Sequence, residues 1–287
     1  MPTIPEALSA FLLDCQAKNL SPYTVKTYKR RLAHFVDWCV DQGLTDITAV
    51  TTNHCRQYQA NLTSQLADTS ARGRCIDCKT FLRWCTKEAL IAESPAAGIK
   101  LPKVVERLPT ILSPSQIKRL YLACESDREK AVLLTLLDTG MRASEFCNMN
   151  VGDLDEGVVT IRDGKPRRDR FCYLSERTQR ALRLYMRSEG VQRGHLWRAE
   201  TTNGRLTVSG LSQLLSRMAE RVEIHVTPHK IRRTTITMLL KSGTDVFTLM
   251  KLSGHKDIES LKPYIRLSNE DAQQAHKRNS PVERLFA

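Results

Sequence analysis

The sequence predicts a mainly α-helical protein of two domains, the second of which contains one small antiparallel β-hairpin. Apolar residues recur at helical spacing along most of the chain, one short stretch alternates at the period of a strand, and prolines punctuate an aperiodic segment between the two halves. A length of 287 residues suits one large domain or two ordinary ones. The hydrophobic fraction of 41% excludes general disorder.

Four helices are predicted within residues 1–93, which we take as the first domain. Thr3 and Glu6 have capping-box spacing ahead of the first helix. Ser21 followed by Pro22 is a typical start for the second helix, because proline suits the first helical position. Short connections between four helices indicate a compact bundle. The third and fourth helices are predicted over about 53–66 and 69–90.

Residues 94–112 are predicted to form a proline-containing linker, since three prolines interrupt a segment with little periodicity. The second domain then covers residues 113–287. Its start is marked by Ser113 followed by Pro114, which repeats the N-cap and proline signal. Helices are predicted over about 114–125, 127–139, 143–149, 175–188, 207–221, 229–242, 244–253 and 257–266.

The hydrophobic period changes once within the second domain. The stretches GVVTIR and RFCYL alternate like strands, and Asp163-Gly164 lies between them. Asp-Gly favours the turn conformation that matches strand twist, so these residues predict a β-hairpin.

The positive charge is large and unevenly distributed. Lys and Arg number 44 against 31 Asp and Glu, a formal net charge of +13, and residues 162–205 alone hold 12 basic and 5 acidic residues. Such an excess favours a polyanion partner such as DNA, although a solubilising surface has the same composition. Basic positions on the predicted second and fourth helices are further candidates for duplex contact, namely Lys26, Arg30, Arg72, Arg74 and Lys79.

Several other classes of protein are disfavoured. No apolar run approaches the roughly 18–20 residues that a membrane span needs, and the N-terminus lacks signal-peptide features, so we expect a cytoplasmic protein. Nine cysteines, an odd number, suit reduced thiols better than a disulfide framework. Cys75, Cys78 and Cys85 with His54 raise the question of zinc, but no second Cys-x-x-Cys pair exists and burial on one helix explains the cysteines. We therefore predict neither a metal nor a cofactor.

Five residues in the second half are candidates for chemistry. A helix-ending glycine precedes the first arginine, a histidine and the second arginine lie one helical turn apart, and a tyrosine follows the last histidine by nine residues. Each position alone is more often a surface charge, a structural histidine or a core tyrosine. In chain order these residues are Arg142, His229, Arg232, His255 and Tyr264.

Taken in order and spacing, and together with Lys165 after the hairpin turn, the set resembles the signature of the tyrosine recombinase (phage integrase) family. The flanking stretches LLDTGMRASEFCNMNVGDLD, TPHKIRRTTITMLLKSG and LMKLSGHKDIESLKPYIRLS each resemble one part of the family's catalytic domain, over about residues 113–287. Residues 1–93 more loosely resemble its SAM-like core-binding domain. The resemblance implies a site-specific DNA recombinase that forms a 3′-phosphotyrosyl intermediate without metal or ATP. It also implies a homotetramer on two DNA sites, each an inverted-repeat core.

Elementary chemistry gives most of the set a role. Arg142 and Arg232 suit the neutralisation of non-bridging phosphate oxygens, because a guanidinium is always charged and donates in a planar fork. Tyr264 is the candidate nucleophile, and His229 can accept or return its proton. By resemblance, Lys165 protonates the departing 5′-oxygen, and His255 binds the scissile phosphate or holds the tyrosine.

Neighbouring residues are given lesser roles. We expect the basic neighbours to contact flanking phosphates or solvent, and Glu145 to be the structural partner of a cation. Pro263 should begin or kink a turn directly before the tyrosine. The basic neighbours are Arg167, Arg168, Arg170, Lys230 and Arg233.

The sequence leaves the biological role open. Integration, excision or resolution for a mobile element is the main hypothesis, and Xer-like resolution of chromosome dimers is the alternative. A type IB topoisomerase shares the chemistry, and a non-catalytic DNA-binding protein is the rival from another class. The C-terminal tail could pack on its own domain or on a neighbouring protomer through Val282, Leu285 and Phe286.

Overall fold

The described residues are mainly helical, as predicted, and the predicted hairpin is part of a three-stranded antiparallel sheet. The computed structural model describes residues 2–104, 109–162, 169–199, 202, 204–255 and 257–268, and the single positions 276, 280, 282 and 285. The chain divides into two compact units, Met1–Arg107 and Leu108–Ala287, so the division falls inside the predicted linker. Within the described residues, no helix is both long and apolar enough to cross a membrane.

The first unit contains the four predicted helices. The capping box before the first helix forms, since Glu6 N donates to Thr3 Oγ1 and Thr3 N donates to the Glu6 carboxylate. Ser21 Oγ accepts from Thr24 N at the start of the second helix. The helices are α1 (Ile4–Ala17), α2 (Pro22–Asp41), α3 (Thr52–Gln65) and α4 (Asp68–Lys87).

Aromatic rings from all four helices form the centre of this unit. Phe11 of α1 meets Phe81 of α4 edge to face, with ring centroids 5.6 Å apart. Phe35 of α2 meets Tyr58 of α3 in the same way at 5.0 Å. These rings are almost fully buried, and edge-to-face pairs add to the free energy gained by burial.

The chain directly after α4 packs on the first unit. Ala96 is buried, and side chains of α3 and α4 donate hydrogen bonds to carbonyls of the residues that follow it. Arg72 donates to the carbonyl of Pro102 at 2.8 Å, and Lys79 donates to that of Ile99 at 2.7 Å. An aperiodic segment has carbonyls without helical partners, so these cations satisfy them. The described first part of residues 94–112 is thus attached to the helical unit.

The second unit contains eight α-helices among its described residues. These are α5 (Pro114–Leu122), α6 (Asp127–Thr139), α7 (Ala143–Asn148), α8 (Glu176–Ser188), α9 (Val208–Glu220), α10 (Pro228–Lys241), α11 (Val246–Ser253) and α12 (Lys262–Ser268).

The sheet has the order β1–β2–β3, with β1 (Leu154–Asp155), β2 (Val158–Ile161) and β3 (Arg170–Tyr173) antiparallel. The two strands of the predicted hairpin are confirmed, with Val159 opposite Cys172. The predicted turn at Asp163-Gly164 lies outside the described residues. The two-residue strand β1 was not predicted, because so short a segment has no measurable period.

The second unit encloses its own core. Trp197 is fully buried and stacks on Phe146 and Tyr185, with centroids 4.5 and 5.1 Å away. Helix α10 packs against α6, α11 and α12. This packing brings the C-terminal ends of α6 and α11 close to the start of α10, where the candidate site lies.

Candidate active site

Arg142 lies directly after the turn that ends α6. Gly140 adopts the left-handed conformation with φ +54°, which reverses the chain and places Arg142 at the N-cap of α7. Its Nη1 donates to Glu145 Oε1 at 2.8 Å, and its Nη2 donates to the carbonyl of Gly254 at 2.9 Å. The side chain remains 46% exposed, so this arginine is fixed at two points yet accessible to an anion.

Arg232 is the buried cation of the site. It is 5% exposed and donates to the carbonyls of Gly140 and Ser253, both at 2.8 Å. These carbonyls lie at the ends of α6 and α11, where helix dipoles favour positive charge. Desolvation, followed by the nearby Arg142, lowers the pKa of Arg232 to about 10. The guanidinium is therefore still charged at neutral pH.

The hydrogen bonds of His255 define its protonation. Ser253 Oγ donates to the carbonyl of Leu249, so it accepts from His255 Nδ1 at 2.6 Å. The other ring nitrogen, Nε2, accepts from Arg232 at 3.3 Å. Desolvation and the charges of Arg232 and Arg142 lower the pKa of His255 to about 4. The imidazole is consequently neutral, with its proton on Nδ1 and its lone pair towards the arginine.

Tyr264 is buried next to His255. It is 7% exposed and belongs to a small apolar cluster with Ile236, Leu249 and Leu261. Its ring centroid lies 6.4 Å from that of His255. As expected of a proline, Pro263 lies in the first turn of α12, directly before the tyrosine.

His229 lies one turn before Arg232 on α10. Thr227 caps this helix and Pro228 is its first residue, so the histidine is held in the first turn. Desolvation, then Arg233 and Arg232, lower the pKa of His229, which favours its neutral form. The structure thus brings Arg142, Arg232, His255 and Tyr264 into one set, with His229 beside it. Three other candidates lie outside the described residues: Lys165, Arg167 and Arg168.

An open cleft of about 1060 Å³ borders this set. Arg142, Glu145 and His255 line it together with residues of β2 and α11. Arg232 and Tyr264 are buried, whereas the cleft is open to solvent. A phosphate in the cleft would therefore meet Arg142 and His255 first.

The expectation that Arg170 contacts flanking phosphates or solvent is wrong. Its side chain is 15% exposed, and its two terminal nitrogens donate to the two oxygens of Glu145 at 2.9 and 2.6 Å. Glu145 is confirmed as the partner of a cation. Alternation along β3 offered a signal, since Arg170 shares a face with buried Cys172. Ser253, which orients His255, had no signal in the sequence.

The remaining candidates for DNA contact differ in their exposure and in their hydrogen-bond partners. Lys26 and Arg30 are exposed on α2. Arg74 and Arg233 are half-buried, and Lys230 donates to the carbonyl of His225 at 2.9 Å. Arg72 and Lys79 donate to carbonyls of the segment that follows α4.

The cysteines considered for zinc are buried on α4. Desolvation raises the pKa of Cys75 to about 11 and that of Cys85 to about 12, and raises the pKa of Cys78 as well. These thiols are protonated at neutral pH. Among the described residues, no group of three or more His, Cys, Asp or Glu side chains could hold a metal ion.

Two family profiles match the chain. The phage integrase family matches residues 110–271, and the N-terminal SAM-like domain of phage integrases matches residues 8–89. The tyrosine recombinase XerC of Oceanobacillus iheyensis is 29% identical over 285 residues, with 92% of each chain covered. The tyrosine recombinase XerA of Thermococcus kodakarensis is 25% identical over 280 residues, covering 96% of this chain and 94% of that protein.

A solved structure shares the fold over the full length. The Tn1549 transposon integrase in complex with a circular intermediate DNA gives a TM-score of 0.77 at 16% identity, covering 99% of this chain and 100% of that chain.

Proposed function

This chain belongs to the phage integrase family and is a site-specific DNA recombinase, in which we propose that Tyr264 attacks a DNA phosphodiester to form a 3′-phosphotyrosyl link. The observation that carries the proposal is the convergence of Arg142, Arg232, His255 and Tyr264 at the ends of α6 and α11. Two of these residues are cations, one is a neutral imidazole and one is a nucleophile. Together they supply the nucleophile and the charge stabilisation that phosphoryl transfer without metal requires.

The two arginines bind the non-bridging oxygens of the scissile phosphate. Negative charge on these oxygens grows as the attacking oxygen approaches, and preorganised cations stabilise it. Arg232 is buried, and its hydrogen bonds to two carbonyls hold it in place. Arg142 approaches from the open cleft.

Attack by Tyr264 requires removal of its phenolic proton, because the pKa of a free tyrosine phenol is about 10. Neutral His229 can accept that proton, and a lowered pKa keeps it in the accepting form. His255 also has an unprotonated nitrogen, Nε2, at the site. We assign it to positioning of the phosphate and the tyrosine, because Arg232 already occupies that lone pair.

Lys165 protonates the 5′-oxygen as it departs, by resemblance to the family. Cleavage breaks the bond between phosphorus and the 5′-oxygen and forms one between phosphorus and the tyrosyl oxygen. The 5′-hydroxyl of a partner strand then reverses the step. The number of phosphoester bonds is conserved, so strand exchange needs no external energy source.

The DNA partner is a duplex with an inverted-repeat core site, and four protomers join two such sites. The protein acts in the cytoplasm, at the nucleoid, where this substrate lies. Its role is integration, excision or resolution for a mobile element. The relatives named Xer, matched over nearly their whole length, favour a second candidate, resolution of chromosome dimers.

The test uses a binding site that the intact protein selects from fragments of its source genome. A duplex with that site and a nick near the cleavage position loses a short strand after attack, so the covalent link accumulates. We expect a complex that survives denaturation with the intact protein and none with Tyr264→Phe. No complex with the intact protein would overturn the proposed mechanism. Sites at the ends of a mobile element, or one chromosomal site, distinguish the two roles.

A further inference from the structure

The structure assigns Arg170 a positioning role: it binds both oxygens of Glu145 and so leaves the charge of Arg142 available to the scissile phosphate. The inference rests on the proposed role of Arg142. It adds a residue from β3, the second strand of the hairpin, to the set that prepares the site.

Glu145 is shared between two arginines in an unequal way. Arg170 binds it through both terminal nitrogens, at 2.9 and 2.6 Å. Arg142 binds it through its backbone N at 2.7 Å and a single side-chain nitrogen at 2.8 Å. The carboxylate side chain is 15% exposed, so its charge is poorly screened by water. A planar fork on both oxygens is the strongest of these pairings.

The electrostatic consequence follows from counting charges. Without Arg170, the charges of Glu145 and Arg142 would neutralise each other. Arg170 supplies the second positive charge, so the three groups together retain one. That remaining charge lies on the arginine that is 46% exposed and lines the cleft.

Arg170 also holds the turn that carries His255. Its Nε donates to the carbonyl of Leu252 at 3.2 Å, at the end of α11. A Cβ on Gly254 would lie 2.9 Å from the guanidinium carbon, so only glycine lets the arginine lie so close. Arg142 donates to the carbonyl of the same glycine. Arg170, Glu145 and Arg142 therefore form a closed ring of contacts with the end of α11.

The experiment measures the rate of covalent complex formation by the full-length protein on two nicked duplexes. One carries the ordinary phosphodiester, and the other carries a methylphosphonate at the cleavage position, which lacks one negative oxygen. We expect Arg170→Met to lower the rate on the phosphodiester by about 100-fold, the cost of a small misplacement of a catalytic group. On the methylphosphonate the loss should be several-fold smaller, because less charge needs neutralisation.

A matched control exists in the same unit. Arg221 also binds a carboxylate through two nitrogens, to Glu129 at 2.7 and 3.0 Å, and donates to the carbonyl of Ala123. Arg221→Met removes the same kinds of bond, and neither Arg221 nor Glu129 is among the residues that line the cleft. Its rates on the two substrates should fall equally or not at all.

Two further variants separate charge from structure. Arg170→Lys restores the charge and should recover most of the rate. Adding Glu145→Gln to Arg170→Met removes the uncompensated carboxylate and should raise the rate above that of the single variant. Equal losses on both substrates, or no rescue by either change, would overturn the role of Arg170. The proposed function would stand as long as the intact protein forms the complex.

Discussion

Arg142 and Arg232 differ in burial, and this difference separates their effects on stability and activity. Arg232→Ala would leave the carbonyls of Gly140 and Ser253 without their donors and should lower the free energy of unfolding by about 2 kcal/mol. Arg142→Ala removes a half-exposed arginine from a carboxylate that keeps Arg170 as its partner, and should cost about 1 kcal/mol or less. Urea unfolding measures both values.

The same two variants should nevertheless lose similar activity. Each removes one donor to the charge that develops on the phosphate, worth about 100-fold or more in rate. Covalent complex formation on the nicked duplex measures this. An Arg142→Ala variant as unstable as Arg232→Ala would contradict the assignment of burial and exposure.

His255 makes stability depend on pH in a definite direction. Its pKa falls from 6.5 to about 4 on folding, so between these values the unfolded chain binds more protons. The contribution of neutral His255 to the free energy of unfolding is fully present above pH 6.5 and decreases as the pH falls through this window. His255→Gln removes this titrating group. Between neutral pH and about pH 5, the variant should therefore lose less stability than the intact protein, by on the order of 1 kcal/mol.

Urea unfolding at the two pH values tests this expectation. His34→Gln is the control, since His34 is exposed on α2 in the other unit. The lowered pKa of His229 acts with the same sign, so part of the acid sensitivity should persist in His255→Gln. An unchanged pH dependence in His255→Gln would show that this histidine is not buried in its neutral form.

At the scale of elements, the turn after α6 determines where Arg142 lies. Gly140 has φ +54°, and a Cβ there would lie 3.1 Å from Cγ2 of Thr235. Gly140→Ala should therefore cost about 2 kcal/mol, roughly half from the left-handed conformation and half from the contact. Gly190 also has positive φ but open space around it, so Gly190→Ala should cost about 1 kcal/mol.

Comparison of the two variants isolates the contact with Thr235. Gly140→Ala should also slow covalent complex formation, because it displaces the turn that precedes Arg142. Gly190→Ala should leave that rate unchanged. Equal stability losses would mean that the neighbourhood of Thr235 relaxes without cost.

Local signals explain why the elements could be predicted. The start of α1 depends on Thr3 and Glu6, and that of α5 on Ser113, all within four residues of the helix they cap. The contacts that complete the site join distant positions instead. Arg232 and Gly140 are 92 residues apart, and Arg170 and Glu145 are 25 apart. Helical and strand periods contain no information about such pairs, so the site's residues were predicted but their connections were not.

At the scale of the whole molecule, basic residues that look alike in sequence perform different work. Lys26 and Arg30 on α2 are exposed, whereas Arg72 and Lys79 on α4 donate to carbonyls of the following segment. Helical spacing predicts a basic face in both cases. It does not show that one face is covered by chain that lacks regular structure, because aperiodic segments give no signal of where they pack.

The salt dependence of DNA binding should distinguish these two pairs. Each phosphate contact that a cation makes contributes about 0.9 to the slope of log K against log salt concentration. The double substitution Lys26→Gln with Arg30→Gln should therefore reduce the slope by up to about 2, and leave stability almost unchanged. Arg72→Gln with Lys79→Gln should reduce the slope less and lower the free energy of unfolding of the first unit, because the carbonyls of Ile99 and Pro102 lose their donors.

Fluorescence anisotropy on a non-specific duplex between about 50 and 200 mM salt measures the slope. If the α4 pair had the larger effect on the slope and none on stability, its cations would contact DNA and the attachment of the segment would not depend on them.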